Sequence, residues 1–307
     1  MGKSPKISIG VPVYNGENYL AEALESLLAQ TFTDFEIIIC DNASTDGTEQ
    51  ICKDFEKRDE RICYFRNECN LGFTANFNKA FERSKAAPYF KWMAHDDKIA
   101  PDFLGECLKV MEEHEDIVAC QARERIIDEN GDEFSYDERT GLFTRQDGRQ
   151  TVKAEPPTIA NQEAPYERVQ DLLRNSQRYY HIFGLIRADA LKKTALFRPY
   201  YEADGALLVE LALQGKFHTL GSRLHYKREH PDTSYEQTPE ERARRACTAM
   251  KFSRVKGKWA QFTGYLDAVW RSSVGLWTKL LCTVAILRHG CRSIRTWLWL
   301  SLKGGKG

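Results

Sequence analysis

A mostly parallel, Rossmann-like α/β sheet with helices on both faces, followed by a helical and basic extension, is the fold this sequence predicts. Two observations carry the sheet and a third the extension. Between Lys6 and Asp97 apolar runs alternate four times with helix-period segments across short connections, the pattern of strands joined by crossover helices. The second run, Phe35 to Cys40, is too continuously apolar to have a wet face, as expected of a strand buried on both sides. From Trp270 onward the composition turns to tryptophan and aliphatic residues interleaved with Lys and Arg. The expected division is an α/β domain over 1–238, with 128–165 as an insertion or lid, and a helical tail over 239–307.

In order, Lys6 to Val13 reads as a strand ending in Pro12-Val13-Tyr14-Asn15. A helix follows from Glu17 with Leu20, Leu24, Leu27 and Leu28 as its apolar stripe. The strand Phe35 to Cys40 ends in the polar run Asp41 to Thr48, and a helix spans Thr48 to Arg58. Ile62 to Arg66 forms a third strand, Asn67 to Gly72 turns into a third helix, and Phe90-Lys91-Trp92 opens a fourth strand that stops at His95-Asp96-Asp97. A helix over Pro101 to His114 and a strand over Ile117 to Ala122 follow. Between Asp128 and Pro165 periodicity fails; the stretch reads equally as a substrate-side lid or as a partly disordered excursion. Tyr166 to Asn175 is a helix, Ile182 to Arg187 a strand, and Gly205 to Gln214 a helix with Asp204 at the capping position. A last strand, Phe217 to Tyr226, leads into Lys227-Arg228-Glu229-His230.

Lys and Arg total 44 against 44 Asp and Glu, yet from Lys251 to the end 11 basic residues face the single acid Asp267. An acidic body thus carries a tail of about +10. Nine scattered cysteines without a Cys-x-x-Cys pair speak against a disulfide framework or a zinc knuckle, and no apolar segment follows Met1. A reducing cytosol is the expected compartment.

Each strand delivers polar residues to one edge of the sheet, so Tyr14, Glu17, Asp41, Asn42, Asn70, Asp96 and Asp97 should converge. Two adjacent acids at a strand end can hold a divalent cation against a phosphate, or can merely form an acidic turn. The loop after the first strand lacks both the Gly-x-Gly-x-x-Gly of dinucleotide enzymes and the basic glycine-rich loop of a nucleotidylyltransferase.

Val11-Pro12-Val13-Tyr14-Asn15, the run Asp41 to Thr48, Asn70-Leu71-Gly72, and Asp96-Asp97 with Pro101 four residues on come in an order and spacing that resemble family 2 of the inverting, GT-A-fold glycosyltransferases. The resemblance covers about residues 6 to 235. It implies a GT-A nucleotide-diphospho-sugar transferase fold, a nucleotide-sugar donor with UDP as the expected nucleotide, and a glycan or lipid-linked acceptor. By that resemblance Pro12, Tyr14, Glu17 and Asp41 hold the base, with Asn42, Asn70 and Gly72 beside them. Asp96 meets the ribose or a metal-bound water, Asp97 binds Mn²⁺ or Mg²⁺, and Arg228 and His230 follow the last strand toward the diphosphate or the metal shell. Asp204 falls where relatives place the catalytic base; the usual Glu beside it is Ala203 here, and Asn42 replaces a frequent second Asp. Gly47 and Gly72 read as backbone-geometry positions, and His95 as a residue that fills the strand end.

The tail is expected to be helical from about Glu240, with Trp270, Val274, Trp277, Leu281 and Val284 as one stripe and a break at Gly290. Its longest apolar run, Leu280 to Leu287, falls short of the roughly 20 residues a bilayer span needs. Tryptophan beside Lys and Arg suits a helix lying on the inner face of an anionic membrane. A packed appendage, a dimer interface or a non-enzymatic membrane adaptor are the competing readings; nucleic-acid binding fits poorly.

Overall fold

The computed structural model describes residues 4–84, 87–156, 158–176, 179–200, 202–231 and 254–303, the side chains of 254–258 and 291–303 excepted. The start of the tail near Glu240 lies outside the described residues. Strands and helices follow as β1 (Ile7–Val13), α1 (Leu20–Leu28), β2 (Phe35–Asp41), α2 (Thr48–Arg58), β3 (Ile62–Arg66), α3 (Phe73–Glu82), β4 (Tyr89–Trp92), β5 (Lys98–Ile99), α4 (Phe103–Glu113) and β6 (Ile117–Ile127). Then come β7 (Ser135–Asp137), β8 (Leu142–Thr144), β9 (Thr151–Lys153), α5 (Pro165–Asn175), a 3₁₀ turn over Tyr180–Phe183, β10 (Leu185–Arg187), α6 (Ala188–Leu191), α7 (Ala203–Gln214), β11 (Lys216–Arg228), α8 (Arg254–Arg271) and α9 (Leu276–Lys303).

Eight strands form one sheet in the order β3-β2-β1-β4-β10-β6-β11-β5. The first four pair in parallel, β11 runs parallel to β6, and β10 and β5 run antiparallel to their neighbours. The chain leaves β1 toward β2 on one side and later returns to β4 on the other. That reversal opens a crevice outside the carboxyl ends of β1 and β4, where open α/β sheets bind ligands.

The period of two in the strands builds a core on each face. Ile7, Ile9, Val11, Ile37 and Ile39 pack with α1 and α4, while Ile38, Cys40, Phe90 and Trp92 pack with α7 and α8. Each fully buried aliphatic side chain contributes about 1.5–3 kcal/mol. Gly10 keeps β1 close to α3: a Cβ there would stand 2.8 Å from both Ala80 and the Phe90 ring. Lys91, in the middle of β4, is fully buried; its ammonium donates to the Phe183 carbonyl and lies 4.5 Å from the Phe103 ring centroid. Burial pulls its pKa down to about 8.

One expectation, the break at Gly290, needs correction, and two other stretches gain detail. The 128–165 stretch holds a three-stranded antiparallel meander, β7-β8-β9, around Phe134, Phe143 and Val152. Its strands are three residues long and half exposed, so their apolar content is too slight to show a period. The tail helix does not break at Gly290: α9 runs through it, and a Cβ there would lie 3.2 Å from the Phe262 ring of α8. The break falls at Ser272 to Gly275, which divides the expected stripe between two helices. Finally, one side of the tail is packed: Tyr265, Ala268, Val269, Cys282 and Ile286 are buried in the core formed with α5 and α7. No helix among the described residues is long and apolar enough to cross a membrane.

Candidate active site

The turn after β1 and the loop after β2 are laced together from both sides. Backbone N–H groups of Asn15, Gly16 and Glu17 donate to Ser44 Oγ (2.9 Å), Thr48 Oγ1 (2.8 Å) and Asp46 Oδ2 (3.1 Å). In return the N–H groups of Thr45 and Gly47 donate to Asn15 Oδ1 (2.8 Å) and Glu17 Oε2 (2.7 Å). Asn15, Ser44, Asp46 and Thr48 were not singled out in sequence, although they sit in the same polar runs as the residues that were. Glu17 here secures the start of α2. Gly47 has φ −71°, so it is not a left-handed position; it is small because the Glu17 carboxylate would lie 2.9 Å from a Cβ. Gly72 does adopt φ +84° at the start of α3.

Pro12 is buried in β1 opposite Cys40, whereas Tyr14 stands 41 % exposed at the mouth of the crevice. Asp41 is fully buried: its carboxylate accepts from the Ser44 N–H (2.8 Å) and the Tyr64 hydroxyl (2.8 Å), with Arg66 Nε at 3.4 Å. Burial, then the neighbouring Asp41 charge, push the Tyr64 phenol well up. Asn42 Nδ2 donates to Asn70 Oδ1 (2.9 Å) and the Gly72 carbonyl (3.3 Å), and Asn42 Oδ1 accepts from Asn67 Nδ2 (3.1 Å) and the Leu71 N–H (2.9 Å). Between them Ala43 takes φ +61°, a left-handed conformation costly to a residue with a Cβ.

The acid pair lies between β4 and β5, and the pairing of Lys98-Ile99 with His225-Tyr226 brings β11 over it. The two acids then diverge. Asp97 is fully buried; it accepts from the Arg228 N–H (3.0 Å), lies 3.2 Å from His225 Nε2 and 3.9 Å from Lys227 Nζ. Burial lowers the His225 pKa against the pull of that carboxylate. Asp96 keeps 16 % of its side chain exposed and pairs with His230 Nε2 at 3.1 Å. Burial alone would raise the Asp96 pKa, but His95, His230 and Lys227 outweigh it and hold the carboxyl well below the usual range. His230 in turn packs on Tyr19, ring centroids 4.8 Å apart. Direct metal binding by Asp97 would require that buried carboxylate to leave its partners, whereas the Asp96 carboxylate is partly exposed as it stands.

Arg228 has its guanidinium engaged by protein groups on every side. Its side chain is fully buried, and its guanidinium donates to the carbonyls of Asp96 (2.9 Å), Asp128 (3.1 Å) and Glu129 (3.3 Å) and to Glu22 Oε2 (2.8 Å). Side chains alternate along β11, so His225 and Lys227 reach Asp97 while Arg228 turns away. That alternation was readable in the sequence.

Asp204 lies in the first turn of α7 rather than before it; Glu202, with φ +62°, holds the capping position. The Asp204 carboxylate accepts from its neighbour's N–H at Gly205 (2.9 Å) and caps nothing further. Burial, and then the Glu202 charge, raise its pKa to about 7. Tyr179 and Tyr265, hydroxyls 3.0 Å apart, close over Gly205, where a Cβ would lie 2.7 Å from Tyr265 Oη. No hydrogen bond joins Asp204 to Asp96 or Asp97 among the described residues. Tyr180, next to Tyr179 in the chain, has its ring 5.8 Å from Lys227 Nζ.

The Asp96–His230 pair thus sits at the switch point of a parallel sheet, where open α/β sheets bind ligands, with the Asp204 carboxyl apart from it at a helix start. The sequence profile of Glycosyl transferase family 2 matches residues 8–193, and the chain belongs to that family. The match includes Asp96 and Asp97 and ends before Asp204. Glycosyltransferase GlyA of Streptococcus pneumoniae is 33 % identical over 138 residues, 45 % of this chain and 18 % of GlyA. TuaG of Bacillus subtilis, named for teichuronic acid biosynthesis, is 38 % identical over 109 residues, 36 % of this chain and 43 % of TuaG. The chain therefore spans less than half the length of these relatives. The structure of S. aureus TarS 1–349 superimposes with a TM-score of 0.62 over 95 % of this chain and 73 % of that one, at 18 % identity. The mannosyltransferase PcManGT of Pyrobaculum calidifontis follows at 0.53 over 99 % and 76 %, at 12 % identity. Both likenesses bear on the fold, which is the GT-A type.

Proposed function

We propose that the chain transfers a hexosyl or N-acetylhexosaminyl group from a UDP-linked donor to a hydroxyl of a glycan or lipid-linked acceptor, inverting the anomeric centre. The observation that carries this is the pairing of Asp96 with His230 at the mouth of the crevice, apart from a carboxyl, Asp204, whose pKa lies near neutrality. TarS has been solved with UDP-GlcNAc and with UDP, and PcManGT with GDP-Man and Mn²⁺, which supports a nucleotide-sugar donor and a divalent ion.

Tyr14, exposed above the buried Asp41, offers a ring face to the base. Asp96 and His230 would hold Mn²⁺ or Mg²⁺; no cluster of three metal-binding side chains occurs among the described residues, so donor phosphates and water would complete the shell, as suits these hard cations. Bound there, such an ion would supply positive charge against the diphosphate leaving group. Asp97 is proposed as the anchor that keeps Asp96 in place through His225 and the Arg228 backbone. Asp204 takes the proton of the acceptor hydroxyl; the acceptor oxygen bonds to the anomeric carbon, and the bond to the diphosphate oxygen breaks with its electron pair on the leaving UDP.

Calorimetric titration of UDP with and without Mn²⁺, followed by UDP release from a panel of UDP-sugars, tests the proposal. Metal-dependent binding and release, with Asp204→Asn retaining the first and losing transfer, is the expected result. Pyrophosphate release from a nucleoside triphosphate, or metal-independent binding, would overturn it.

A further inference from the structure

Eight large apolar side chains stand exposed among the described residues, and all but Tyr14 lie on α8 and α9. On α9, Trp277 (73 % exposed), Leu280, Val284 and Leu287 recur at helical spacing, opposite Cys282, Ala285 and Ile286, which are buried toward the domain. On α8, Trp259 and Trp270 face outward while Tyr265, Ala268 and Val269 face inward. The two faces adjoin, because the Lys279 ammonium on α9 donates to the Trp270 carbonyl at 3.0 Å. The hairpin is thus apolar on both sides, and only one side is covered.

Charge identifies the cover. Residues 254–303 carry nine Lys and Arg against one acid, Asp267. That acid is already engaged by the Arg198 guanidinium, with Arg271 Nη1 at 3.9 Å. A second copy docking through the same segment would bring two strongly basic stretches together, whereas an anionic lipid headgroup layer complements that charge and accepts tryptophan at its boundary.

We propose that the outward face of the α8–α9 hairpin docks the protein flat on an anionic phospholipid bilayer. Trp259, Trp270, Trp277 and Leu280 enter the headgroup boundary, and Arg271 and Arg288 meet the lipid phosphates. This surface is independent of the catalytic reading, since none of these residues touches the crevice.

The test uses the full chain and sedimentation with phosphatidylcholine vesicles, with or without about a third phosphatidylglycerol, together with tryptophan emission. Binding to the anionic vesicles with a blue-shifted emission is expected. The double variant Trp277→Glu, Leu280→Glu should lose at least about tenfold in vesicle affinity, and each of Arg271→Gln and Arg288→Gln about fivefold on anionic vesicles only. Circular dichroism melting and UDP binding should match the parent in all three. Failure of the parent to sediment, or equal binding to neutral vesicles, would overturn the proposal. So would a dimer in light scattering that the Trp277→Glu, Leu280→Glu variant abolishes, since the cover would then be a second copy.

Discussion

Changing Asn42 to Asp alters a single atom type, and the structure sets its effect. The Asn42 amide nitrogen donates to Asn70 Oδ1 and to the Gly72 carbonyl, in a residue only 3 % exposed. A carboxylate there places an acceptor against two acceptors and adds a charge on the residue next to buried Asp41. A buried acceptor left unpaired costs about 1–3 kcal/mol, so the pair gives about 2–4 kcal/mol after partial relaxation. Burial and Asp41 would raise the new carboxyl's pKa, so the folded state would hold its proton where the unfolded chain releases it. The sign follows: the deficit is smallest below about pH 4, grows as pH rises through the raised pKa, and is complete at pH 8. Urea unfolding at pH 5 and pH 8 measures both values. A change under about 0.5 kcal/mol at pH 8 would refute the assignment of Asn42 as the amide that ties the β2, β3 and α3 ends together.

Further outcomes are expected at Asp204, His230 and Ala43. Asp204→Asn should lower transfer by about 10²–10⁴ with UDP binding unchanged, and the parent's transfer rate should climb about tenfold per pH unit below about 7 and level off above it. Because folded Asp204 keeps its proton up to about 7, it disfavours the fold increasingly as pH rises from the ordinary carboxylate range to that value; Asp204→Asn should therefore melt higher than the parent at pH 8 and equally at pH 4. His230→Gln should raise the Mn²⁺ concentration needed for half-maximal UDP binding by about tenfold or more, whereas His95→Gln should shift it little. Ala43→Gly should stabilise by about 1 kcal/mol in urea unfolding by relieving the left-handed backbone at φ +61°.

The strand and helix alternation from β1 to α4 was legible because strands buried on both faces leave unbroken apolar runs and their polar carboxyl ends stand out by contrast. The convergence of Asp41, Asn42, Asn70 and Asp96 on one edge followed from that pattern. The roles within it did not. Asp96 and Asp97 are the same residue type in adjacent positions, and only the antiparallel docking of β5 on β11 decides which is sealed and which faces the crevice. Lys91 reads as a break in an apolar run, but nothing local shows that the Phe183 carbonyl awaits its ammonium. The end of the first tail helix is marked by Ser272-Ser273-Val274-Gly275, whereas Gly290 is a glycine needed for helix contact and tolerated at about 1 kcal/mol in a helix interior.

Arg228 joins elements that are otherwise remote in the chain: the Asp96 carbonyl, the carbonyls that lead into the meander, and Glu22 on α1. This limits how the enzyme can be recombined. A chimera that exchanges residues 130–165 keeps Arg228 and all four of its acceptors, but it must also restore the Arg145 pairs with Asp128 and Glu129 and the Asp132 N–H bond to the Asp128 carboxylate. One that cuts before Asp128 must in addition hold two main-chain carbonyls on the path the buried cation needs. The insertion is therefore tied to the turn after β4 and to α1 through one buried side chain, and its exchange succeeds only where the backbone at 128–129 keeps its course.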